Sequence, residues 1–279
     1  MAAATTNQRP ASAGWYAVVV ALALMALGPI LVMLSTSLKT RNQIFGDDAS
    51  FFFMPTLSNY AAVLDDPSNV RFLTNSLTVA LVSTVITLTL GCMAAYAIVR
   101  FRFVGRDAAS LGTLLMRMVP PAVLCVPVFT IWTYQYGLTN TLSGVILVYT
   151  AINLPFVIWI LQSFIVQVPR PLEEAARVDG ANPYQVFFLV VLPLIKPGLA
   201  AAAIFTFRIA WNEFILALVL TNRFTRTMPV KVSLFINEHN IEWGQIMAIG
   251  TLIAIPPLVF TFLASKQIIT GLTAGAVKG

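Results

Sequence analysis

The chain has 279 residues, 58% hydrophobic and 10% charged, with a formal net charge of +6. A soluble domain carries about 25% charged residues, so this composition excludes an ordinary soluble fold and puts most of the chain against lipid or other membrane helices. The basic residues are spread between apolar runs and form no stripe, which excludes a nucleic-acid-binding surface.

Residues 1–14 are small and polar and read as a flexible N-terminus. Trp15 to Leu38 is the first apolar span, with Trp15 and Tyr16 as interface anchors. It has no A-x-A site at its end and further spans follow, so it reads as retained rather than as a cleaved signal. Residues 39–70 are polar and carry Asp47, Asp48, Asp65 and Asp66, and Phe51 to Pro55 within them suit a membrane surface. The second span runs from about Phe72 to Val99 and is stopped by Arg100, Arg102 and Arg106. The third runs from about Ala108 to Trp132 and the fourth from about Leu142 to Phe164. A charge-bearing loop over 169–197 precedes the fifth, about Gly198 to Thr221. Residues 222–243 are polar, and the sixth span runs from Gly244 to Ile269. Each apolar stretch meets the roughly 20 residues a helix needs to cross hydrocarbon. The expected fold class is an all-α integral membrane protein of about six transmembrane helices. Cys92 and Cys125 fall inside spans as small hydrophobes.

The loop has the best-specified local chemistry. Pro169 and Pro171 open a helix, since a first-turn proline loses no intrahelical bond. Glu173 and Glu174 follow in its first turn, where the dipole favours negative charge. Gly180 ends it in a left-handed cap. Asn182 and Pro183 start another helix as N-cap and first residue, and Pro193 and Pro197 break it again. The expectation is helix, turn, helix, too polar to cross the bilayer.

The spacing Glu174-Ala175-Ala176, Gly180, Val190, Leu192-Pro193 resembles the EAA loop of ABC importer permeases. It departs by Val190 where isoleucine is usual. The resemblance implies a cytoplasmic coupling helix that docks into a cleft on an ATPase subunit. Glu174 would offer an ion pair, Ala175 and Ala176 close approach, and Gly180 the turn. Glu173, Asp179, Leu192 and Pro193 complete the coupling set. The resemblance extends to Asn75-Ser76, to Ala94-Ala95-Tyr96-Ala97 and to the tail Gly271 to Gly279, which in that family reaches into the ATPase dimer interface.

Orientation follows from Lys and Arg. With the N-terminus inside, the inner side holds nine: Arg9, Arg100, Arg102, Arg106, Arg170, Arg177, Lys196, Lys266 and Lys278. The outer side holds six: Lys39, Arg41, Arg71, Arg223, Arg226 and Lys231. The positive-inside bias therefore places both termini and the loop in the cytoplasm.

Within spans, Pro120-Pro121 and Pro256-Pro257 are candidate bend or gate sites. Three ionisable residues also lie there, Arg117, Arg208 and Glu213, and such residues are costly in lipid and usually functional. Trp211-Asn212-Glu213-Phe214 resembles a segment of carbohydrate permeases of the maltose-transporter type, in which this helix lines the translocation path. On that resemblance Asn212 and Glu213 would bond sugar hydroxyls and Trp211 would stack on a sugar face. The alternative is structural: Glu213 pairs with Arg208 and Asn212 ties helices together. Arg117 and Arg208 likewise either recognise an anionic sugar, or respectively snorkel to the interface and pair with Glu213.

There is no G-x-x-x-x-G-K-[ST], no H-E-x-x-H, and a lone His239 that makes neither a catalytic constellation nor a metal cluster. The chain is thus expected to be a transport subunit that itself binds no cofactor. The family resemblance implies ATP and Mg on a separate ABC ATPase dimer, a second related permease, an extracytoplasmic solute-binding protein and membrane lipid as neighbours, in a bacterial inner membrane. The competing reading is an ion-coupled secondary transporter with Glu213 as coupling residue. Such transporters often show internal repeats, and no fixed-period repeat is visible.

Overall fold

A computed structural model describes residues 13–46, 52–235 and 242–276. Asp47, Asp48, Phe51, His239, residues 1–12 and residues 277–279 lie outside them, so the expectations placed there are not addressed. Among the described residues the regular structure is entirely helical. The helices are α1 (Ala13–Ser37), α2 (Arg41–Phe45), α3 (Ser58–Asp65), α4 (Pro67–Arg100), α5 (Arg106–Arg117) and α6 (Pro121–Ile131). There follow α7 (Leu142–Val166), α8 (Arg170–Val178), α9 (Pro183–Leu194), α10 (Lys196–Asn212), α11 (Ile215–Leu220), α12 (Met228–Phe235) and α13 (Trp243–Ala276).

Four of these helices, α1, α4, α7 and α13, are long and apolar enough to cross a membrane singly. Two bent pairs, α5 with α6 and α9 with α10, raise the count to six if each is one broken span. The chain divides into two compact units, one of residues 1–65 with 240–251, the other of residues 66–239 with 252–279.

In the first unit the exit from α1 is pinned by side chains. Asn59 Nδ2 donates to the carbonyls of Ser37 at 2.9 Å and Lys39 at 2.8 Å, groups a helix end leaves without partners. Thr40 and Gln43 form a capping box that starts α2. Arg41 and Glu242 make an ion pair at 3.0 Å.

The second unit is organised by α4 and α7. Asp66 is the N-cap of α4: its carboxylate accepts from Ser68 N and from Ser68 Oγ, with Pro67 in the first turn. Burial pushes the Asp66 carboxyl up, but these bonds and the nearby Lys231 ammonium outweigh it and hold it below its usual range. Along α4 the buried positions Phe72, Ser76, Val79, Ser83, Thr87, Gly91 and Ala95 recur at helical spacing and face the core. Gly91 lets α7 approach, since a Cβ there would lie 2.5 Å from Val157 Cγ1. Asn75 Nδ2 donates to the Phe224 and Arg226 carbonyls at 3.0 Å each, and Ser76 Oγ accepts from Met228 N at 2.8 Å. Asn75-Ser76 therefore tie the loop before α12 to the start of α4.

Three spans refine or differ from the sequence expectation. The third, expected over 108–132 with a candidate bend at Pro120-Pro121, bends there by 99° between α5 and α6. Pro120 and Pro121 have no N–H to continue the ladder, and Pro120 takes an extended ψ of 135°. The fifth, expected over 198–221, starts at Lys196, ends at Asn212 and resumes as the short α11. Glu213 is extended there, with φ −68° and ψ 128°. The sixth keeps one helix, Trp243 to Ala276, through the candidate bend at Pro256 and Pro257.

Candidate functional site

The loop over 169–197 folds as its residues dictate. Pro169 is the N-cap of α8 and Pro171 sits in its first turn. At the other end Gly180 takes a left-handed φ of +86°. Ala181 N donates to Ala176 O at 2.9 Å and Gly180 N to Arg177 O at 3.0 Å, a Schellman closure that only a residue comfortable at positive φ accommodates. Asn182 and Gln185 then cap α9 reciprocally, each backbone N–H reaching the other's side-chain oxygen at 2.9 Å. Helix α9 passes through Pro193, the expected break, to Leu194, because a proline near a helix end disturbs few ladder bonds. It then turns by 75° into α10 at Ile195.

The two glutamates of α8 have opposite surroundings. Glu173 is buried, and Arg100 Nε lies 2.6 Å from its Oε1. Tyr96 Oη donates to Glu173 Oε2 at 3.0 Å. Arg100 Nη2 also donates to the carbonyls of Ile165 at 3.0 Å and Val168 at 2.8 Å, which satisfies the end of α7. One guanidinium thus fastens the ends of α4, α7 and α8 together. Glu174, Ala175, Asp179 and Gly180 are exposed, and among the described residues Glu174 makes no ion pair. Tyr96 and Arg100 were absent from the expected site set. Their signal was present in the sequence, since an i, i+4 tyrosine–arginine pair at a helix end shares one face.

The residues expected on a substrate path separate. Trp211 is 1% exposed, stacks on Phe207 and donates from Nε1 to Ile253 O at 3.1 Å. It is a core residue here with no free face for a sugar, because an indole with its N–H satisfied packs best inside. Asn212 is exposed and makes no interhelical bond among the described residues. Glu213 does not pair with Arg208. Its oxygens accept from Leu216 N at 2.9 Å, Ala217 N at 3.1 Å and Tyr149 Oη at 2.6 Å. The carboxylate thereby closes the N-terminal end of α11, where a negative charge is favoured. Three donors already engage it, an arrangement suited to a fixed cap rather than an ion carrier.

Arg117 ends α5 and lies over the Phe156 ring, 4.2 Å from its centroid. It lines a cavity of about 390 Å³ at the break between α5 and α6, together with Pro121, Asn153, Pro155 and Ile209. Arg208 lies over Phe205 at 6.0 Å.

Comparison with known proteins agrees with this architecture. The trehalose transport system permease protein SugB of Mycobacterium tuberculosis is 39% identical, covering 91% of this chain and 93% of SugB. The sulfoquinovosyl glycerol transport system permease protein SmoH of Agrobacterium fabrum is 36% identical, covering 91% and 89%. A crystal structure of a bacterial ABC transporter that imports the acidic polysaccharide alginate contains a chain of the same fold, with a TM-score of 0.75 at 22% identity, covering 92% of this chain and 98% of that one. Residues 87–272 match the family described as binding-protein-dependent transport system inner membrane component. The chain belongs to that family, as a membrane-spanning permease subunit of a sugar-type ABC importer rather than an enzyme.

Proposed function

We propose that this permease moves a carbohydrate or polyol inward by alternating access, paired with a second related permease and driven by a dimer of ABC ATPases that hold ATP and Mg. An extracytoplasmic solute-binding protein delivers the solute, and both termini face the cytoplasm of a bacterial inner membrane. The relatives named for trehalose and sulfoquinovosyl glycerol support the carbohydrate class. The nine-to-six bias of basic residues supports the orientation.

The observation that carries the coupling role is the split environment of α8. A short helix whose buried Glu173 is clamped by Arg100 moves with α4 and α7. Its other side presents Glu174, Ala175 and Asp179 to a partner, with Ala176 half-buried between. An ATPase that closes on that side therefore pulls directly on two membrane helices, with Gly180, Leu192 and Pro193 setting the course of the chain back into the membrane. Reversing the exposed charge tests this. Glu174→Lys leaves the complex assembled and still hydrolysing ATP, while solute uptake falls to background. Uptake at the wild-type rate would refute the docking role. Dependence of uptake on ATP rather than on an ion gradient separates the reading from an ion-coupled carrier.

A further inference from the structure

Among the described residues, the third and fifth spans hold two cations, Arg117 and Arg208, and one acid, Glu213, and the acid is already engaged. Glu213 closes α11 through two backbone N–H groups and the Tyr149 hydroxyl. Among the described residues, neither Arg117 nor Arg208 has a carboxylate partner. Both are exposed on the chain. Each lies over an aromatic ring: Arg117 over Phe156 at 4.2 Å, Arg208 over Phe205 at 6.0 Å. The two rings meet edge to face with centroids 5.9 Å apart. The result is a continuous row of cation, ring, ring, cation, with a positive charge at each end.

Position makes the row unusual. Helices α5 and α10 both start on the side where Arg100 meets α8, at Arg106 and Lys196. Arg117 lies 11 residues past Arg106 (117 − 106) and Arg208 lies 12 past Lys196 (208 − 196). At about 1.5 Å per residue each is about 17 Å along its helix from that side. An unpaired guanidinium within a membrane-spanning region is costly toward lipid and implies a cavity, a path or a pairing anion. The cavity is present: about 390 Å³, opened by the 99° bend at Pro120-Pro121 and lined by Arg117. Asn153 lines it as well and is 2% exposed; its Nδ2 donates to Tyr149 O at 2.8 Å, which leaves Oδ1 as an acceptor. Pro155 and Ile209 supply apolar walls.

We propose that this cavity is an anion-selective station on the translocation path, where Arg117, with Arg208 as a second positive charge beyond the aromatic pair, holds the carboxylate or sulfonate of an acidic carbohydrate while Asn153 Oδ1 accepts from a hydroxyl. The inference rests on the carbohydrate reading above and narrows it. A planar guanidinium suits both anions because it donates two parallel hydrogen bonds. A neutral sugar leaves that charge unmatched in a low-dielectric site, so the charge discriminates as well as attracts.

The test uses the complete transporter, purified through a tag on this chain with its partner subunits and reconstituted in liposomes with its binding protein. Uptake is measured for a panel of uronate-terminated and sulfonated sugars, each beside its neutral counterpart, and for a non-carbohydrate solute, methionine. An acidic member is expected to enter at least tenfold faster than its counterpart, about the effect of one charge-assisted bond. Arg117→Gln removes most of that advantage and Arg117→Lys keeps part of it, the advantage being read as the ratio of acidic to neutral uptake within each variant. Arg208→Gln, at an exposed position, serves as the second variant where Arg117→Gln does not assemble. Preferred entry of a neutral sugar overturns this inference and leaves the carbohydrate reading intact, as does an equal loss of both forms. Entry of methionine alone, or of no panel member, overturns both.

Discussion

At the scale of single residues, the adjacent glutamates of α8 make the sharpest contrast. Glu173 and Arg100 form a buried pair with side chains 4% and 7% exposed. Removing one partner of such a pair leaves the other charge stranded and costs about 3–5 kcal/mol, whereas replacing both with apolar groups is often nearly neutral. We expect Glu173→Ala to lower the unfolding temperature of the purified complex sharply, and the double variant Arg100→Met/Glu173→Met to recover most of the loss. Glu174→Ala, one position along, is expected to leave stability within about 0.5 kcal/mol of wild type, as for a surface change. Equal destabilisation by the two single variants would contradict the clamp.

At the scale of helices, the α4–α7 contact carries the second unit, and Gly91 sets its closeness. Val157 is fully buried, so a new Cβ 2.5 Å from its Cγ1 forces a shift in packed surroundings. Overpacking of this kind costs about 1–3 kcal/mol. Gly91→Ala should therefore lower thermal stability, and Gly91→Ala/Val157→Ala should restore part of it by vacating the space. Gly180 differs, because nothing lies within 4 Å of its added Cβ and the strain of Gly180→Ala comes from φ +86° alone. That substitution should cost about 1–2 kcal/mol of local backbone energy and lower uptake through the α8–α9 turn without loosening the core. Hydrogen exchange confined to residues 170–185 would check it.

At the scale of the whole molecule, α1 and α13 carry the most unburied apolar surface among the membrane-length helices: none of the apolar stretch of α1 is buried, and 11% of that of α13. Such surface requires lipid or another membrane helix as neighbour. Gentle purification of the tagged chain from native membranes is expected to bring a second multi-span permease and a Walker-A ATPase with it. Recovery of the chain alone or as a homo-oligomer, under conditions that preserve such complexes, would contradict the assembly reading.

The sequence by itself determined the class of this protein. Long apolar runs, sparse charge and the spacing from Glu174 to Pro193 needed no tertiary information, because the length of a membrane helix and the capping of a turn are local properties. Pro169, Gly180 and Asn182 form the turns that their side chains dictate, and Pro120-Pro121 interrupt a span where Pro256-Pro257 do not. Only the tertiary structure decided which polar groups meet. Glu173 rather than Glu174 is the clamped acid, because it alone faces Arg100, 73 positions earlier in the chain (173 − 100). Glu213 caps its own short helix through two backbone N–H groups and Tyr149, and among the described residues Arg208 has no carboxylate partner. Trp211 is a core residue, because Ile253, 42 positions later (253 − 211), accepts from its indole N–H, and Phe260 stacks on the Phe207 ring that Trp211 itself stacks on. Charge pairing and burial depend on distances between segments remote in sequence, and a linear pattern of residue types carries no information about those.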